Sequence, residues 1–194
     1  MLSVGSYQVP IQTSHRKKQL ALLGPAQKCE MPNDWDCSWQ EFWNKTNFEF
    51  GGIISLKWDG RVFGLVSYSL YPDKKKPQGI FISHLEALPS SRGDSAQRIL
   101  KPIGRWLIWY VATVALQKCL VDGSTPYIIL LTSGTEAVDY YRDKIGMHYI
   151  GPESLGPDED GYGFGFSSAA SAKFCKEQEA RYGSPSQIQV TETT

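Results

Sequence analysis

The stretch that decides the fold reads LEALPSSRG at residues 85–93 and continues as KPIGRWL at residues 101–107. It joins an apolar strand to a long apolar helix, and Pro102 suits the first turn of that helix. A helix start presents unpaired backbone N–H groups and a partial positive charge, and small residues let a phosphate approach them. The residue types that such a phosphate site requires are present in Arg92, Gly93, Lys101, Gly104 and Arg105.

The flanking segments predict a mixed α/β fold. Upstream, Asp59-Gly60 closes a hairpin of residues 53–58 and 62–71, and residues 80–88 form a third strand. Downstream, the expected elements are a helix to about residue 120, a strand at 127–132, a helix at 135–144, strands at 147–150 and 162–166, and a helix at 171–182. A strand, helix and strand in succession favour a right-handed crossover and locally parallel pairing. We expect a mixed, mostly antiparallel sheet flanked by helices on both faces, with a central β-α-β-α unit.

Length and charge restrict the organisation and the partners. The chain of 194 residues fits one domain, residues 1–183, followed by a flexible tail at 184–194. Twenty basic side chains balance twenty acidic ones, which disfavours nucleic acid as a partner. The longest apolar stretch, residues 106–116, is shorter than the ~20 residues that a bilayer requires. With no visible secretory signal, we expect a cytoplasmic protein without a membrane partner.

The cysteines and histidines predict neither a disulfide framework nor a metal site. The four cysteines contain no CxxC pair, and the three histidines are too scattered for a zinc pattern. We expect reduced thiols and no metal.

Two stretches resemble the motifs of the GCN5-related N-acetyltransferases (GNAT). Residues 85–93 with 103–107 are similar to motif A, and EAVDYYRDKIGM at residues 136–147 is similar to motif B. They occur in the family's order with a strand between them, and with the preceding hairpin the resemblance covers about residues 50–167. Three features depart from the pattern: a longer segment between Pro89 and Gly104, Pro102 at the first glycine of Gly-x-Gly, and one extra residue between Tyr141 and Gly146.

The first two departures leave two registers for the phosphate loop. In one, residues 92–95 contact the pyrophosphate and Gly104 lies inside the helix. In the other, which we prefer, Gly104 opens the helix, because this places residues 119–120 at the expected helix end.

The resemblance implies an N-acetyltransferase that moves an acetyl or other acyl group from acetyl-CoA to a primary amine by direct attack in a ternary complex. The thioester is already activated, so catalysis needs a neutral amine, donors for the oxyanion and a proton for the thiolate. By resemblance, Tyr141 protonates the thiolate. Coenzyme A would contact the backbone of Leu85, Ala87 and Leu88, and then Arg92, Gly93, Lys101, Ile103, Gly104 and Arg105.

The base and the acceptor site stay open. His84 and Glu86 share one face of a strand by alternation, so either could take the ammonium proton, or they could be a hydrogen-bonded sheet histidine and a surface carboxylate. Ser38 and Glu41 have the spacing of a capping box at the start of a short helix. The spacing of Trp35, Trp39 and Trp43 predicts either a core-facing stripe or a wall of the substrate pocket.

Other functions also remain open at this point. The alternatives are a non-catalytic acyl-CoA-binding module and an acyltransferase that uses longer acyl donors. The acceptor could be a small-molecule or a peptide amine, and the chain could form a homodimer.

Overall fold

The computed structural model describes residues 1–15, 17–72, 77–92, 98–119, 126–156 and 159–188. The described residues form ten strands and three α-helices. The strands are β1 (Ser6–Thr13), β2 (Lys18–Pro25), β3 (Gly51–Trp58), β4 (Arg61–Tyr71), β5 (Gly79–Ala87), β6 (Leu100–Lys101), β7 (Ile129–Ser133), β8 (His148–Gly156), β9 (Glu159–Phe166) and β10 (Ser186–Ile188). The helices are α1 (Trp39–Lys45), α2 (Gly104–Lys118) and α3 (Ser168–Tyr182).

All ten strands belong to one sheet. Its order is β10-β1-β2-β3-β4-β5-β7-β9-β8, and β6 pairs with β1 off this path. Strands β5 and β7, which α2 connects, are parallel, whereas the other neighbouring pairs are antiparallel. The predicted mixed, mostly antiparallel sheet and the parallel pairing are therefore confirmed.

Helices α1 and α2 cover opposite faces of the sheet. Glu86 on β5 points to α1, where Trp39 Nε1 donates to its carboxylate over 2.6 Å. The next residue back along β5, Leu85, points to α2, and its Cδ2 lies 3.7 Å from where a Cβ of Gly104 would stand. Helix α2 is buried along most of its length, which explains its continuous apolar sequence. Helix α3 packs against α2, with Trp109 Nε1 donating to Glu179 over 2.9 Å.

The second motif contains a π-helix at Tyr140–Ile145, preceded by a 3-10 turn at Thr135–Ala137. The amide of Gly146 donates to the carbonyl of Tyr141 over 3.1 Å, which is five residues back instead of four. Gly146 then takes the left-handed conformation with φ 84° and ends the turn. The extra residue of this motif is thus absorbed by one wide helical turn, and the predicted regular helix is corrected.

The structure differs from the sequence-based expectation at both ends of the chain. β1 and β2 form an N-terminal hairpin where no strands were predicted. Ser186–Ile188 pairs antiparallel with β1, so this part of the predicted flexible tail is a strand, and residues 189–194 lie outside the described range.

The predicted capping box at Ser38 does not form. The Ser38 side chain makes no capping hydrogen bond, and Glu41 instead binds Lys45 over 2.5 Å. The backbone explains this difference, because Ser38 has ψ 67° and lies outside the extended region that an N-cap residue normally occupies.

Within the described residues, no helix is long and apolar enough to cross a membrane. The four cysteines are free thiols.

Candidate active site

A gap opens in the sheet where β5 and β7 separate. Their parallel pairing runs from Ile80 and Ile129 to Ile82 and Leu131. Beyond this point β5 remains paired with β4 and β7 with β9. A register shift in β5 leaves Ser83 as an extra residue between Ile82 and His84 at the mouth of the gap. Ligands of α/β sheets bind at the carboxyl ends of such strands, so this gap is the first part of the candidate site.

The peptide groups of Leu85 and Ala87 face this gap. The amide of Leu88 donates to the Phe63 carbonyl on the other side of the strand over 2.8 Å. Because hydrogen-bonded pairs alternate in an antiparallel ladder, Glu86 also bonds towards β4, whereas Leu85 and Ala87 point away from it. The Leu88 amide is already used within the sheet, so it is not an available donor as the sequence suggested.

Helix α2 begins beside the gap. The amides of Trp106 and Leu107 donate to the Ile103 carbonyl, and no side chain caps the helix. The hydroxyl of Tyr140 lies above Gly104, closer than any side chain at position 104 would allow. Gly104 is the first helical residue, as the preferred register expects, and the phosphate contacts of that register stay a prediction.

A cavity of about 450 Å³ lies at this helix start, and we call it the basic cavity. Five of its lining side chains are cationic, and Asp139 is the acidic one. The carboxylate of Asp139 is paired with Arg142 at 2.7 Å, so the charge facing the cavity is strongly positive. The lining residues are Arg98, Lys101, Pro102, Arg105, Asp139, Tyr140, Lys144, Arg181 and Tyr182.

Arg105 is held rigidly at the wall of the basic cavity. Its Nε donates to Gln178 over 2.7 Å and its Nη1 to the Lys144 carbonyl over 2.5 Å. Its guanidinium lies 4.8 Å from the centre of the Phe174 ring. Burial raises the pKa of the neighbouring Tyr140 to about 12, although Arg105 and Arg98 act in the opposite direction. Tyr140 therefore keeps its proton and presents a hydroxyl donor to the cavity.

Glu86 and Arg92 belong to a structural network. The buried Glu86 carboxylate accepts the amides of Asp36 and Cys37 over 2.9 and 3.2 Å, and it also binds the Trp39 indole. Arg92 forms ion pairs with Glu86 and Asp36, and its Nε donates to the Ala87 carbonyl.

This network bears on two predicted assignments, which stay predictions. Both carboxylate oxygens of Glu86 are occupied by these donors and Glu86 lines neither cavity, so the geometry disfavours Glu86 as the base. Arg92 does not line the basic cavity. Gly93, the other cofactor residue predicted in this loop, lies outside the described residues.

A second cavity, of about 290 Å³, lies on the α1 face of β5, and we call it the His84 cavity. His84 lines it, and its imidazole stacks on Phe42 with the ring centroids 3.7 Å apart. Burial lowers the pKa of His84, which is only partly offset by Glu86. A neutral imidazole beside the gap can accept a proton. The other lining residues are Lys45, Thr46, Asn47, Phe50, Gly51, Ser67, Tyr68, Ser69 and Ser83.

The three tryptophans occupy the core side of α1 and its preceding turn. Trp39 is fully buried on Glu86, Trp35 is buried, and Trp43 packs on Phe48 at 4.7 Å between ring centroids. None of the three lines the His84 cavity, to which α1 contributes Phe42 and Lys45. The structure therefore favours the prediction that the three tryptophans face the core over the prediction that they form a wall of the substrate pocket.

Tyr141 lies between the π-helix and the sheet. Its ring is 5.7 Å from Phe164 and 5.3 Å from Tyr140, measured between centroids. The side chain is buried, and this burial raises its pKa, with Tyr140 as a smaller contributor. Tyr141 is thus a protonated phenol in a dry environment, as a proton donor to a leaving group requires.

Of the residues that line the basic cavity, the sequence interpretation assigned Lys101 and Arg105 to the site and missed the others. Lys144 and Tyr140 lie inside the second motif, and Lys144 matches its lysine. Arg98 lies in the longer segment before Gly104, where the local pattern gives it no role. Arg181 comes from α3, seventy-six positions after Arg105, and no local sequence signal connects the two.

The described residues contain no group of three or more His, Cys, Asp or Glu side chains that could hold a metal ion. The candidate site consists of the gap between β5 and β7, the basic cavity at the start of α2 and the His84 cavity on the α1 face.

Solved structures with the same fold include several acetyltransferases. Mycobacterium smegmatis RimJ in complex with CoA-disulfide matches with a TM-score of 0.55 and 10% identity over 94% of this chain and 97% of that one. Arabidopsis thaliana Naa50 in complex with the bisubstrate analogue CoA-Ac-MVNAL matches with a TM-score of 0.52 and 15% identity over 75% and 97%. The Brucella melitensis ribosomal-protein-alanine N-acetyltransferase matches with a TM-score of 0.51 and 13% identity over 75% of this chain and 98% of that one. No protein-family model matches the sequence, and no curated protein matches it significantly.

Proposed function

Because the chain has the fold of the GCN5-related N-acetyltransferases, we propose that it transfers an acetyl group from acetyl-CoA to an amine by direct attack within a ternary complex. The observation that carries this proposal is the position of the basic cavity, at the start of α2 and beside the gap between β5 and β7. A long anionic thioester needs an anion site and a channel for its arm, and these two features supply them.

The residues at the helix start fit the diphosphate of coenzyme A. The amides of Gly104 and Arg105 lie in the first turn, where helix amides lack intrahelical acceptors. Lys101 and the fixed guanidinium of Arg105 add positive charge. Acetyl-CoA would supply an activated thioester, and its pantetheine arm would enter the gap along β5.

Leu85 and Ala87 are the proposed backbone donors. Their N–H groups face the gap, so they can donate to the pantetheine arm and to the oxygen of the thioester carbonyl, whereas the Ala87 carbonyl is already bound by Arg92. Donors fixed by the sheet need no reorganisation when negative charge develops on that oxygen.

His84 is the proposed base and Tyr141 the proposed acid. His84 accepts a proton from the incoming ammonium, so that the neutral amine can attack the carbonyl carbon. When the C–S bond breaks, Tyr141 donates its proton to the sulfur, and the surplus proton of the attacking nitrogen passes to the Tyr141 oxygen as the amide forms. His84 then releases the first proton to solvent. Burial keeps Tyr141 protonated, and the same dry surroundings raise the basicity of the thiolate that it serves.

The acceptor would enter from the α1 face, through the cavity that His84 lines. Serine hydroxyls and Asn47 line this cavity, and Lys45 is its cation. The described lining contains no carboxylate, so it offers no counter-charge for a polycation. We propose a small-molecule or peptide amine as the acceptor, and the peptide alternative agrees with the bisubstrate analogue bound to Naa50. The free thiols favour a reducing compartment such as the cytoplasm.

Release of free thiol from acetyl-CoA tests the activity. We expect acetyl-CoA to raise the melting temperature, and thiol release to require an added amine. Tight binding without thiol release across amino acids, peptides, polyamines and aminoglycosides would instead identify a non-catalytic acyl-CoA-binding module. The absence of both effects would refute the proposal.

A further inference from the structure

We infer that the basic cavity selects donors that carry the 3′-phosphate of coenzyme A, and that Arg181 and Lys144 are the residues that recognise this phosphate. The inference rests on the proposed function, because it assumes that the donor is an acyl-CoA. It goes beyond that function by assigning a second phosphate site and a preference among donors.

The charge of the basic cavity exceeds what a diphosphate requires. The cationic side chains in the lining are Arg98, Lys101, Arg105, Lys144 and Arg181. The single carboxylate, Asp139, is paired with Arg142 on the exposed side. A diphosphate diester carries about two negative charges, and a phosphate monoester adds about −1.5 to −2. The cavity therefore matches the sum of both groups better than the diphosphate alone.

The cations come from separate parts of the chain. Lys101 and Arg105 lie at the start of α2, where amides and dipole already favour the diphosphate. Lys144 lies on the π-helix and Arg181 in the last turn of α3. The dipole at the end of α3 would disfavour an anion, so a phosphate there needs a side-chain cation, which Arg181 supplies.

Hydrogen bonds and packing hold in place the elements that carry Arg181 and Lys144. Arg105 bonds to Gln178 on α3 and to the Lys144 carbonyl, so it ties together the two elements that carry Arg181 and Lys144. The guanidinium of Arg181 lies 5.3 Å from the centre of the Tyr182 ring, and Tyr182 also lines the cavity. A side chain held over a ring needs less ordering when it binds a phosphate.

Calorimetric titration of the full chain with CoA and dephospho-CoA tests the inference. We expect CoA to bind at least about tenfold more tightly, the effect of about one charge-assisted contact. Adenosine 3′,5′-bisphosphate should similarly exceed 5′-AMP. The preference for CoA should weaken as salt is added, since it is electrostatic.

Variants separate the second phosphate site from the first. Arg181→Gln and Lys144→Gln should each weaken CoA binding about tenfold and leave dephospho-CoA binding unchanged. Lys144→Gln keeps the carbonyl that binds Arg105. Lys173→Gln removes a cation of α3 that does not line the cavity, and it should change neither affinity. Melting temperatures confirm that each variant is folded.

The outcomes distinguish this inference from the proposed function. Equal affinity of the unmodified protein for CoA and dephospho-CoA would overturn the 3′-phosphate site and leave the acetyltransferase proposal standing. A parallel loss of both ligands in Arg181→Gln would also overturn it. Failure to bind either ligand would refute both proposals.

Discussion

The hydroxyl of Tyr140 lies above Gly104, the first residue of α2, so closely that no Cβ can be placed between them. Gly104→Ala should force Tyr140 away from its position in the wall of the basic cavity. Overpacking of this kind costs about 1–3 kcal/mol, so we expect CoA affinity, measured by calorimetry, to fall about tenfold. Alanine also has the higher helix propensity, so helix formation itself should not suffer.

Two further variants test whether the clash with the Tyr140 hydroxyl causes this loss of CoA affinity. Gly104→Ala combined with Tyr140→Phe removes the oxygen that clashes, and it should bind CoA more tightly than Gly104→Ala alone. Gly163→Ala on β9 meets mainly the Glu153 side chain and lies outside the cavity lining, on the side of β7 away from the gap, so it should bind CoA normally. Unchanged affinity in Gly104→Ala would show that the cavity tolerates the displaced tyrosine.

Glu86 should prove to be a stabilising residue. Glu86→Ala removes one acceptor from two amides, one indole and Arg92, and it should lower the free energy of unfolding by about 3 kcal/mol. Glu86→Gln keeps one oxygen acceptor and should lose less. Urea denaturation measures both values, with the exposed Glu41→Ala on α1 as the control that should leave the midpoint unchanged. If Glu86→Ala and Glu41→Ala have the same midpoint, the buried network is not stabilising.

The central elements of the fold follow from local sequence. Asp59-Gly60 specifies a tight turn, and the apolar run of α2 specifies a buried helix, because both signals lie within a few consecutive residues. The N-terminal hairpin has no such turn signal, and its strands acquire their partners from β3, β6 and β10, far along the chain. The sequence reveals such non-local pairing poorly.

In the candidate site, too, the residues with a local sequence signal were predictable and those that depend on distant contacts were not. Gly104 and Lys101 were predictable because a helix start has a recognisable pattern. The position of Glu86 depends on a turn at residues 36–37, and that of Arg181 on the packing of α3 against α2. Alternation predicted the shared face of His84 and Glu86, but not which of the two would be saturated with hydrogen bonds.

His84 should control the acidic limb of the pH–rate profile. Burial lowers its pKa below the usual value of about 6.5, so kcat/KM should rise with pH through an inflection below that value. His84→Gln should lower the rate and abolish this inflection, while CoA binding is kept. An unchanged pH–rate profile in His84→Gln would assign the base to another group.

The same shift has a consequence for folding. Between the folded and unfolded pKa values, the unfolded state binds more protons, so stability rises with pH in that interval. The contribution of His84 is complete above about pH 6.5 and is lost as the pH falls through the folded value. His84→Gln should therefore flatten the pH dependence of the urea midpoint below about pH 6.5.

The cysteines should differ strongly in reactivity. Burial raises the pKa of Cys37, Cys119 and Cys175 to about 12, 11 and 12, with Glu86 adding to the effect on Cys37. Cys29 is exposed. At pH 8, a thiol reagent should modify Cys29 rapidly and the other three slowly, because the thiolate is the reacting form. Cys29→Ser should abolish the fast phase, and a fast phase that persists in this variant would contradict the burial of the others.

Tyr141 and Tyr140 are adjacent in sequence but should affect different kinetic constants. Tyr141→Phe removes the proposed proton donor to the sulfur and keeps the ring that packs on Phe164, so kcat should fall by about 10²-fold or more with little change in CoA affinity. Tyr140→Phe removes a hydroxyl from the basic cavity, so it should raise the KM for acetyl-CoA with a smaller effect on kcat. Steady-state kinetics with Cys29→Ser as the background, which removes the reactive thiol, measures both. If Tyr140→Phe instead caused the large fall in kcat, Tyr140 and not Tyr141 would be the proton donor to the sulfur. The wide turn of the π-helix would then explain why the donor lies one residue earlier than the motif predicts.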